Sequence, residues 1–373
     1  MFVGGFQSID FSQLDILKNL HKPFKFAFDH DNSYDNQLYT NYARCAISFL
    51  VLNIMNLSPG DEVLLPDYLC GSIVSAIKHC GVKYKFYRVT KNFELDIHDI
   101  TKKITESSKA IYIIHYFGIP HSVETVLSLL NLKVKYNIHL IEDITQVMFS
   151  SDSEKVGFSD YLVCSLRKCL PIPNGAILAL RASEDYHVDL PMLPHKYDES
   201  AFYELLKMSA YEFACRNNSG FEAYKQLHAK ARLLKNNNYE PSGMADVSHS
   251  IINTIDIDSI IAQRRHNYEF LYTLIYEKTS FKVLSQPMHF FNNNVPYGML
   301  LYTENQDSVS KYLAVNGIFG EIQWGIDTSS SVGSDARWLA THNIMLQCDQ
   351  RYTDNTMRYI AKVLEDYCMN TSQ

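Results

Sequence analysis

Two short stretches carry residues whose types and order could do chemistry. Ile141-Glu142-Asp143-Ile144-Thr145-Gln146 places a carboxylate pair at the end of an apolar run, and Ser165-Leu166-Arg167-Lys168 places a lysine just after another, Tyr161 to Cys164. A carboxylate at the end of a strand sits at the open edge of a sheet and is costly to bury without a partner. A lysine after a neighbouring strand reaches the same crevice. That pairing suits pyridoxal phosphate, which needs a lysine amine for its Schiff base and a carboxylate to keep its ring nitrogen protonated, so that the ring can accept electrons. Its phosphate needs N–H or hydroxyl donors, ideally at a helix N-terminus, and Tyr42-Ala43-Arg44-Cys45 opens the first helical pattern. Taken singly, Asp143 better suits a turn-capping carboxylate, and Lys168 a solvated lysine. The ordered set is what favours function.

The elements that would position these residues alternate along the chain. Apolar runs at 62–66, 82–89, 110–115, 139–142, 161–164 and 176–180 read as strands. Helical patterns fall at 46–55, 72–79 and 123–136, the first closed by Ser58-Pro59-Gly60. Such alternation predicts an α/β fold with a mainly parallel sheet covered on both faces, whose ligands bind at the carboxyl ends of the strands. Residues 183–250 are more polar, with helical patterns at 204–216 and 220–234, and read as a helical connection. A long helix from about Ile255 to Tyr276, strands near 281–283 and 297–302, and helices near 307–316 and 354–367 predict a smaller α+β unit. The expected division is a large domain, 1–250, and a small C-terminal domain, 251–373.

Composition narrows the classes. In 373 residues, 34 Lys+Arg stand against 41 Asp+Glu, a formal net charge of −7, and 46% of residues are hydrophobic. That composition is globular, and an acidic chain without a long basic run argues against nonspecific nucleic-acid binding. No stretch has the apolar length of a membrane span, and the first residues lack a basic region followed by an apolar core, so a cytoplasmic location is expected. The eight cysteines are scattered without a CxxC pair, against a disulfide framework or structural zinc. Among the histidines, His115 is the best placed, after a strand. It reads equally as a group positioning a ligand and as a satisfied sheet-end histidine.

Across about residues 40–182, and more loosely 255–367, the chain resembles the DegT/DnrJ group of pyridoxal-phosphate-dependent aminotransferases, of aspartate-aminotransferase-like fold type I. The matching stretches are Arg44-Cys45-Ala46, Leu57 to Pro66, Ile114-His115-Tyr116-Phe117-Gly118, Ile141 to Gln146, Gly157 to Asp160, Ser165 to Lys168 and Asn174-Gly175. The looser ones are Arg264-Arg265, Asn267-Tyr268, Gly317-Ile318, Trp324 and Leu346 to Tyr352. The resemblance implies that Lys168 is the Schiff-base and proton-shuttling lysine, and that Asp143 pairs with the ring nitrogen. It assigns Gln146 to the ring hydroxyl, and Ser165 with the amides of Ala43, Arg44 and Cys45 to the phosphate. At the position of a stacking aromatic this chain has Cys70, with Tyr68 or Tyr116 as substitutes. His115, Tyr116 and Arg167 are the candidate substrate contacts. The resemblance further implies a homodimer with its active site at the interface. The reaction it implies is transfer of an amino group from an amino acid, usually glutamate, to a nucleotide-linked keto sugar, for surface polysaccharide or secondary metabolite biosynthesis. The departures at Cys70 and Arg167 keep two alternatives in view: dehydration, decarboxylation or transfer on a small amino acid, and a non-catalytic scaffold of the same fold.

Overall fold

The structure, a computed structural model, describes residues 23–182, 189–193, 199–217, 219–236, 238–284, 293–324 and 332–371. The expectation about the first residues of the chain lies outside them. A seven-stranded sheet is built from β1 (Asn36–Thr40), β2 (Glu62–Pro66), β3 (Lys83–Tyr87), β4 (Ser108–Ile114), β5 (His139–Asp143), β6 (Tyr161–Cys164) and β7 (Ala176–Leu180), in the spatial order β1-β7-β6-β5-β4-β2-β3. Strands β3, β2, β4, β5 and β6 are mutually parallel, and β7 runs antiparallel to both β6 and β1. Helices α1 (Ala43–Phe49), α2 (Gly71–His79), α3 (Ile97–Lys103) and α4 (Val123–Tyr136) make the crossovers. The central strands are buried on both faces, which explains their unbroken apolar runs: Ala110 to Ile113 and Ile141 are fully buried.

Local chemistry sets the ends of these elements. Ser122 caps α4 by accepting from the Thr125 amide at 3.2 Å, and Asn137 ends it in the left-handed region. Helix α1 begins at Ala43, within the stretch expected to open it, and passes at Leu50 into a π-helical turn that ends at Ile54.

The connection after β7 forms a hairpin of two long helices, α5 (Glu199–Asn217) and α6 (Phe221–Asn236), followed by α7 (Asp246–Thr254). Helix α8 (Ile257–Lys278) then leads into a three-stranded antiparallel sheet of β8 (Lys282–Val283), β9 (Met299–Tyr302) and β10 (Asn343–Leu346), ordered β10-β9-β8. Helices α9 (Gln306–Val315), α10 (Ser334–Thr341) and α11 (Asp354–Thr371) complete the chain. The described residues form two apolar cores, and α8 joins them: Ile260 packs in the first, while Tyr268, Leu271 and Ile275 pack in the second. Strand β9 divides by parity, with Leu300 in the first core and Met299 and Leu301 in the second.

Candidate active site

The carboxyl ends of β5 and β6 and the start of α1 converge on a cavity of about 320 Å³, whose wall includes Ala43, Arg44, Cys70, Asp143, Gln146, Ser165 and Lys168. Successive residues of a strand face opposite ways, and this decides the role of the Glu142-Asp143 pair. Asp143 reaches the cavity. It accepts from the Tyr112 hydroxyl at 2.9 Å and the Thr145 amide at 3.0 Å, and burial raises its carboxyl above the usual carboxylate range, opposed by those hydrogen bonds and by the Lys168 charge. Glu142 turns to the other face and is fully buried. There it accepts from the amides of Gly157 (2.9 Å) and Phe158 (3.2 Å), with His115 Nε2 at 2.9 Å. Gly157 has a φ of 78°, and a Cβ there would meet the Phe28 ring at 2.5 Å, so the loop that offers these amides requires glycine.

The two sheet-end turns that carry the other groups are tied together. The Ser165 amide donates to Thr145 Oγ1 at 2.9 Å, and the short 3₁₀ turn Leu166–Lys168 then presents Lys168 at the exposed mouth of the cavity. Gln146 Oε1 accepts from the Phe117 amide at 2.6 Å. Its side-chain carbonyl is thereby engaged, and its NH₂ is the group left to donate into the cavity. Phe117 and Gly118 both have positive φ, 57° and 92°, and a Cβ on Gly118 would lie 2.3 Å from the Val295 carbonyl oxygen. The turn that holds Gln146 in place thus rests directly on the segment leading to β9.

Several expected contacts fall elsewhere. His115 is fully buried beneath the sheet end. Its Nδ1 accepts from the His121 amide at 3.2 Å, so its proton sits on Nε2 and is donated to Glu142. His121, held down to about 3 by burial, is neutral and donates to the Ile114 carbonyl at 2.8 Å. Tyr116 and Tyr68 are also buried: the Tyr116 hydroxyl donates to the Tyr68 carbonyl at 2.7 Å, and the Tyr68 hydroxyl to the Gln323 carbonyl. With Phe93 they form an aromatic base under Trp324, and Trp324 and Cys70, not the tyrosines, line the cavity. Cys45 is buried, its amide donates to the Tyr42 carbonyl at 2.9 Å and its thiol faces the Asn238 carbonyl. The Ala43 and Arg44 amides of the first turn remain for an anion. The Arg44 guanidinium donates to the carbonyls of Lys235 and Asn236, both at 3.1 Å, and so ties down the end of α6. Arg167 lies at the mouth with its guanidinium over the Tyr42 ring, 5.7 Å from the ring centre.

The sequence reading missed Thr145, Tyr297 and Trp324, and on α6 it missed Arg232, Lys235 and Asn236. The α6 groups had a signal: His228, Arg232 and Lys235 recur at the spacing of one helix face.

This donor set fits pyridoxal phosphate: an amine at the mouth, a buried carboxylate with two donors holding its orientation, an amide donor, and a hydroxyl beside two first-turn amides. Among the described residues no group of three or more acidic, histidine or cysteine side chains could hold a metal ion, and no disulfide forms. The fold is that of the fold type I pyridoxal-phosphate enzymes. Over the full length of both chains the structure matches the aminotransferase TlmJ from Streptoalloteichus hindustanus, with a TM-score of 0.70 at 15% identity. It also matches the pyridoxal-phosphate form of a putative sugar aminotransferase, Spr1654 from Streptococcus pneumoniae, with a TM-score of 0.69 at 14% identity over 99% of each chain. The sequence profile of the DegT/DnrJ/EryC1/StrS aminotransferase family matches residues 40–163. Over that stretch the chain is similar to the family, whose members are pyridoxal-phosphate-dependent aminotransferases. It is 29% identical over 206 residues to dTDP-4-dehydro-2,3,6-trideoxy-D-glucose 4-aminotransferase of Saccharopolyspora spinosa, covering 53% of this chain and 50% of that one. To GDP-perosamine synthase of Escherichia coli O157:H7 it is 29% identical over 126 residues, 32% of this chain and 34% of the other. The chain therefore aligns with half or less of the length of these relatives.

Proposed function

We propose that this chain is an aminotransferase that moves an amino group from an amino acid donor, glutamate, to a nucleotide-linked keto sugar. It acts as a cytoplasmic homodimer with the active site at the subunit interface, and its product is an amino sugar for surface polysaccharide or secondary metabolite synthesis. The observation that carries the reading is the convergence of Lys168, Asp143, Gln146 and Ser165 on one cavity beside the first turn of α1. The relatives' names, both sugar aminotransferases or amino-sugar synthases, support the substrate class.

Bound there, pyridoxal phosphate supplies an electron sink for the bonds of the donor's α-carbon. Lys168 would supply the amine that holds the cofactor, and its ε-nitrogen would be the base that moves the proton at the reacting carbon. Asp143 stabilises positive charge at the ring nitrogen. Its orientation is set by Tyr112 and Thr145 before any ligand arrives, so no reorganisation is needed. The Gln146 amide donates to the ring hydroxyl. Ser165 and the first turn of α1 would hold the phosphate.

Purified protein is expected to take up pyridoxal phosphate with a visible absorption band that borohydride bleaches, labelling Lys168. Glutamate alone should then yield one equivalent of 2-oxoglutarate. Cofactor uptake without 2-oxoglutarate, but with release of ammonia or carbon dioxide from an amino acid, would move the assignment to another pyridoxal-phosphate reaction. No uptake would leave the scaffold reading.

A further inference from the structure

Beneath the cavity floor a tyrosine ends on the carboxylate that faces the cofactor site. Strand β4 runs parallel to β5, with Tyr112 opposite Ile141 and Ile114 opposite Asp143. Residues two apart on a strand share a face, so Tyr112 stands on the same face as Asp143 and about 6.6 Å behind its level. Ile114 joins the cavity wall, while Tyr112, two residues deeper, is fully buried. Its side chain spans the gap and places its hydroxyl 2.9 Å from Asp143 Oδ2. From below, the hydroxyl of the fully buried Tyr87 donates to the Tyr112 carbonyl at 2.7 Å.

A phenol hydroxyl in a dry interior is costly without an acceptor. Here the acceptor is ionisable, and the bond is stronger when it carries its charge. The Tyr112 hydroxyl therefore favours the carboxylate form of Asp143. Burial favours the acid form, and the hydrogen bonds of Thr145 and Tyr112 and the Lys168 charge oppose it. Tyr116, after β4, and Cys164 of β6 also stand near Asp143, and burial keeps both of them protonated. The Lys168 charge is the contribution that cofactor binding alters, because that amine becomes bonded to the cofactor. The hydrogen bonds stay. Thr145 uses one site on Oδ1 and Tyr112 one on Oδ2, so each oxygen keeps a lone pair for the cavity.

We propose that Tyr112 is a positioning residue for the proton that Asp143 and the cofactor's ring nitrogen share: its bond to Oδ2 keeps Asp143 the carboxylate, so the proton stays on nitrogen. This rests on the placement of the ring nitrogen against Asp143 assigned above. A carboxyl removed from water binds its proton more tightly, which brings it into competition with the ring nitrogen. A donor that bonds the carboxylate and not the ring weakens one side of that competition only. Without it the proton moves from nitrogen to Asp143. No charge is lost from the pair as a whole, but the ring loses its positive charge and with it part of its pull on electrons.

The test is a pH titration of the visible band of the full-length, pyridoxal-phosphate-loaded protein in the parent, Tyr112→Phe, Tyr87→Phe and Asp143→Asn. Positive charge on the ring nitrogen opposes protonation of the Lys168 nitrogen bonded to the same cofactor, so losing it raises the pH at which the band changes. Tyr112→Phe is expected to move that pH up by about one pH unit, in the same direction as Asp143→Asn. Tyr87→Phe gives up a buried hydrogen bond without touching Asp143 and should titrate with the parent. Turnover in Tyr112→Phe should fall about tenfold with the KM for glutamate near that of the parent. The cofactor-free protein gives a second reading that does not depend on loading. Its stability falls as pH rises through the folded value of Asp143, and in Tyr112→Phe that fall should extend to higher pH than in Tyr87→Phe. A parent-like band titration in Tyr112→Phe, with Asp143→Asn shifted, would overturn the role of Tyr112 and leave the cofactor placement standing. Equal shifts in Tyr112→Phe and Tyr87→Phe would also overturn it, because they assign the effect to ring packing. If Asp143→Asn titrates as the parent does, the placement of the ring nitrogen fails, and the proposal fails with it.

Discussion

Glu142 and Asp143 are adjacent carboxylates on one strand, and they do opposite work. Asp143 turns toward the cleft, where two donors orient it and its remaining acceptor capacity faces a cavity. Glu142 turns into a closed network of two backbone amides and His115, in which every partner is protein. Glu142 is fully buried and Asp143 partly so, and the loss of water is costly for each. The difference lies in whether the chain itself completes the hydrogen bonding. On the Glu142 face it does, which makes that face a support. On the Asp143 face it does not, and the carboxyl carries that cost in the form of a raised affinity for its proton. The incomplete side is the one that faces the cavity.

The largest break in this contrast is at the mouth of the cleft. Replacing Lys168 by Ala should abolish amino transfer, a loss of about 10⁴-fold or more, and should remove borohydride labelling, with the fold intact because Lys168 is exposed. Next is Asp143→Asn, expected to cost roughly 10³-fold in turnover because a neutral amide cannot stabilise charge at the ring nitrogen. The same change should raise the melting temperature of the cofactor-free protein at neutral pH. The sign follows from linkage. A carboxyl whose folded affinity for protons is raised contributes stability below its unfolded pKa of about 4, and that contribution is lost as pH rises through the folded value. The asparagine removes the high-pH cost, so the gain should fade as the pH is lowered toward 4. A gain independent of pH would show that Asp143 is not strained in the empty site.

Legibility in the sequence follows the same division. Strand β5 was readable from its apolar run, while Asp143, which alone also suits a turn cap, was picked out by its order with Gln146, Ser165 and Lys168. Lys168 was readable from its order behind a second such run. His115 was misplaced, since a histidine after a strand has the same local sequence whether it faces the cleft or Glu142. Tyr68 and Tyr116 fell elsewhere for a related reason: their motifs fix their position along the chain but not the direction of the side chain, whereas the Cys45 amide, expected at the phosphate, is taken by the Tyr42 carbonyl. Strand β1 passed unnoticed, because Asn36–Thr40 is polar and is defined by pairing with β7 far along the chain. The short helices α3, α7 and α10 and strand β10 were likewise unread, each too brief for its pattern to show. The α5–α6 wall was read only as a connection. The sharing of buried Glu204 between Lys207 and Lys235 is a tertiary fact that no local pattern carries.

The support face should answer in stability and not in chemistry. Glu142→Ala leaves the amides of Gly157 and Phe158 and the His115 N–H without their acceptor in a dry interior, at a cost of about 3 kcal/mol. Glu142→Gln keeps one carbonyl acceptor and should cost less, and at temperatures where both variants are folded their KM for glutamate should stay near that of the parent. A KM shift in the folded Glu142→Gln protein would mean that the two faces are coupled through β5.

The smallest expected effect sharpens the contrast most, because it concerns a residue that touches both sides. Gln146 gives its carbonyl to the Phe117 amide and its NH₂ to the cavity. Gln146→Glu keeps the acceptor for Phe117 and removes the donor, so it should lose about tenfold in cofactor affinity with little change in melting temperature. Gln146→Ala removes both, and it should add a stability loss of about 1 kcal/mol from the orphaned Phe117 amide. Parallel measurement of cofactor affinity and melting temperature in the two variants separates the part of the side chain that faces the ligand from the part that holds the turn. If both variants lost stability equally, the donor side of Gln146 would belong to the scaffold, and the boundary between the two faces would run through the cavity wall itself.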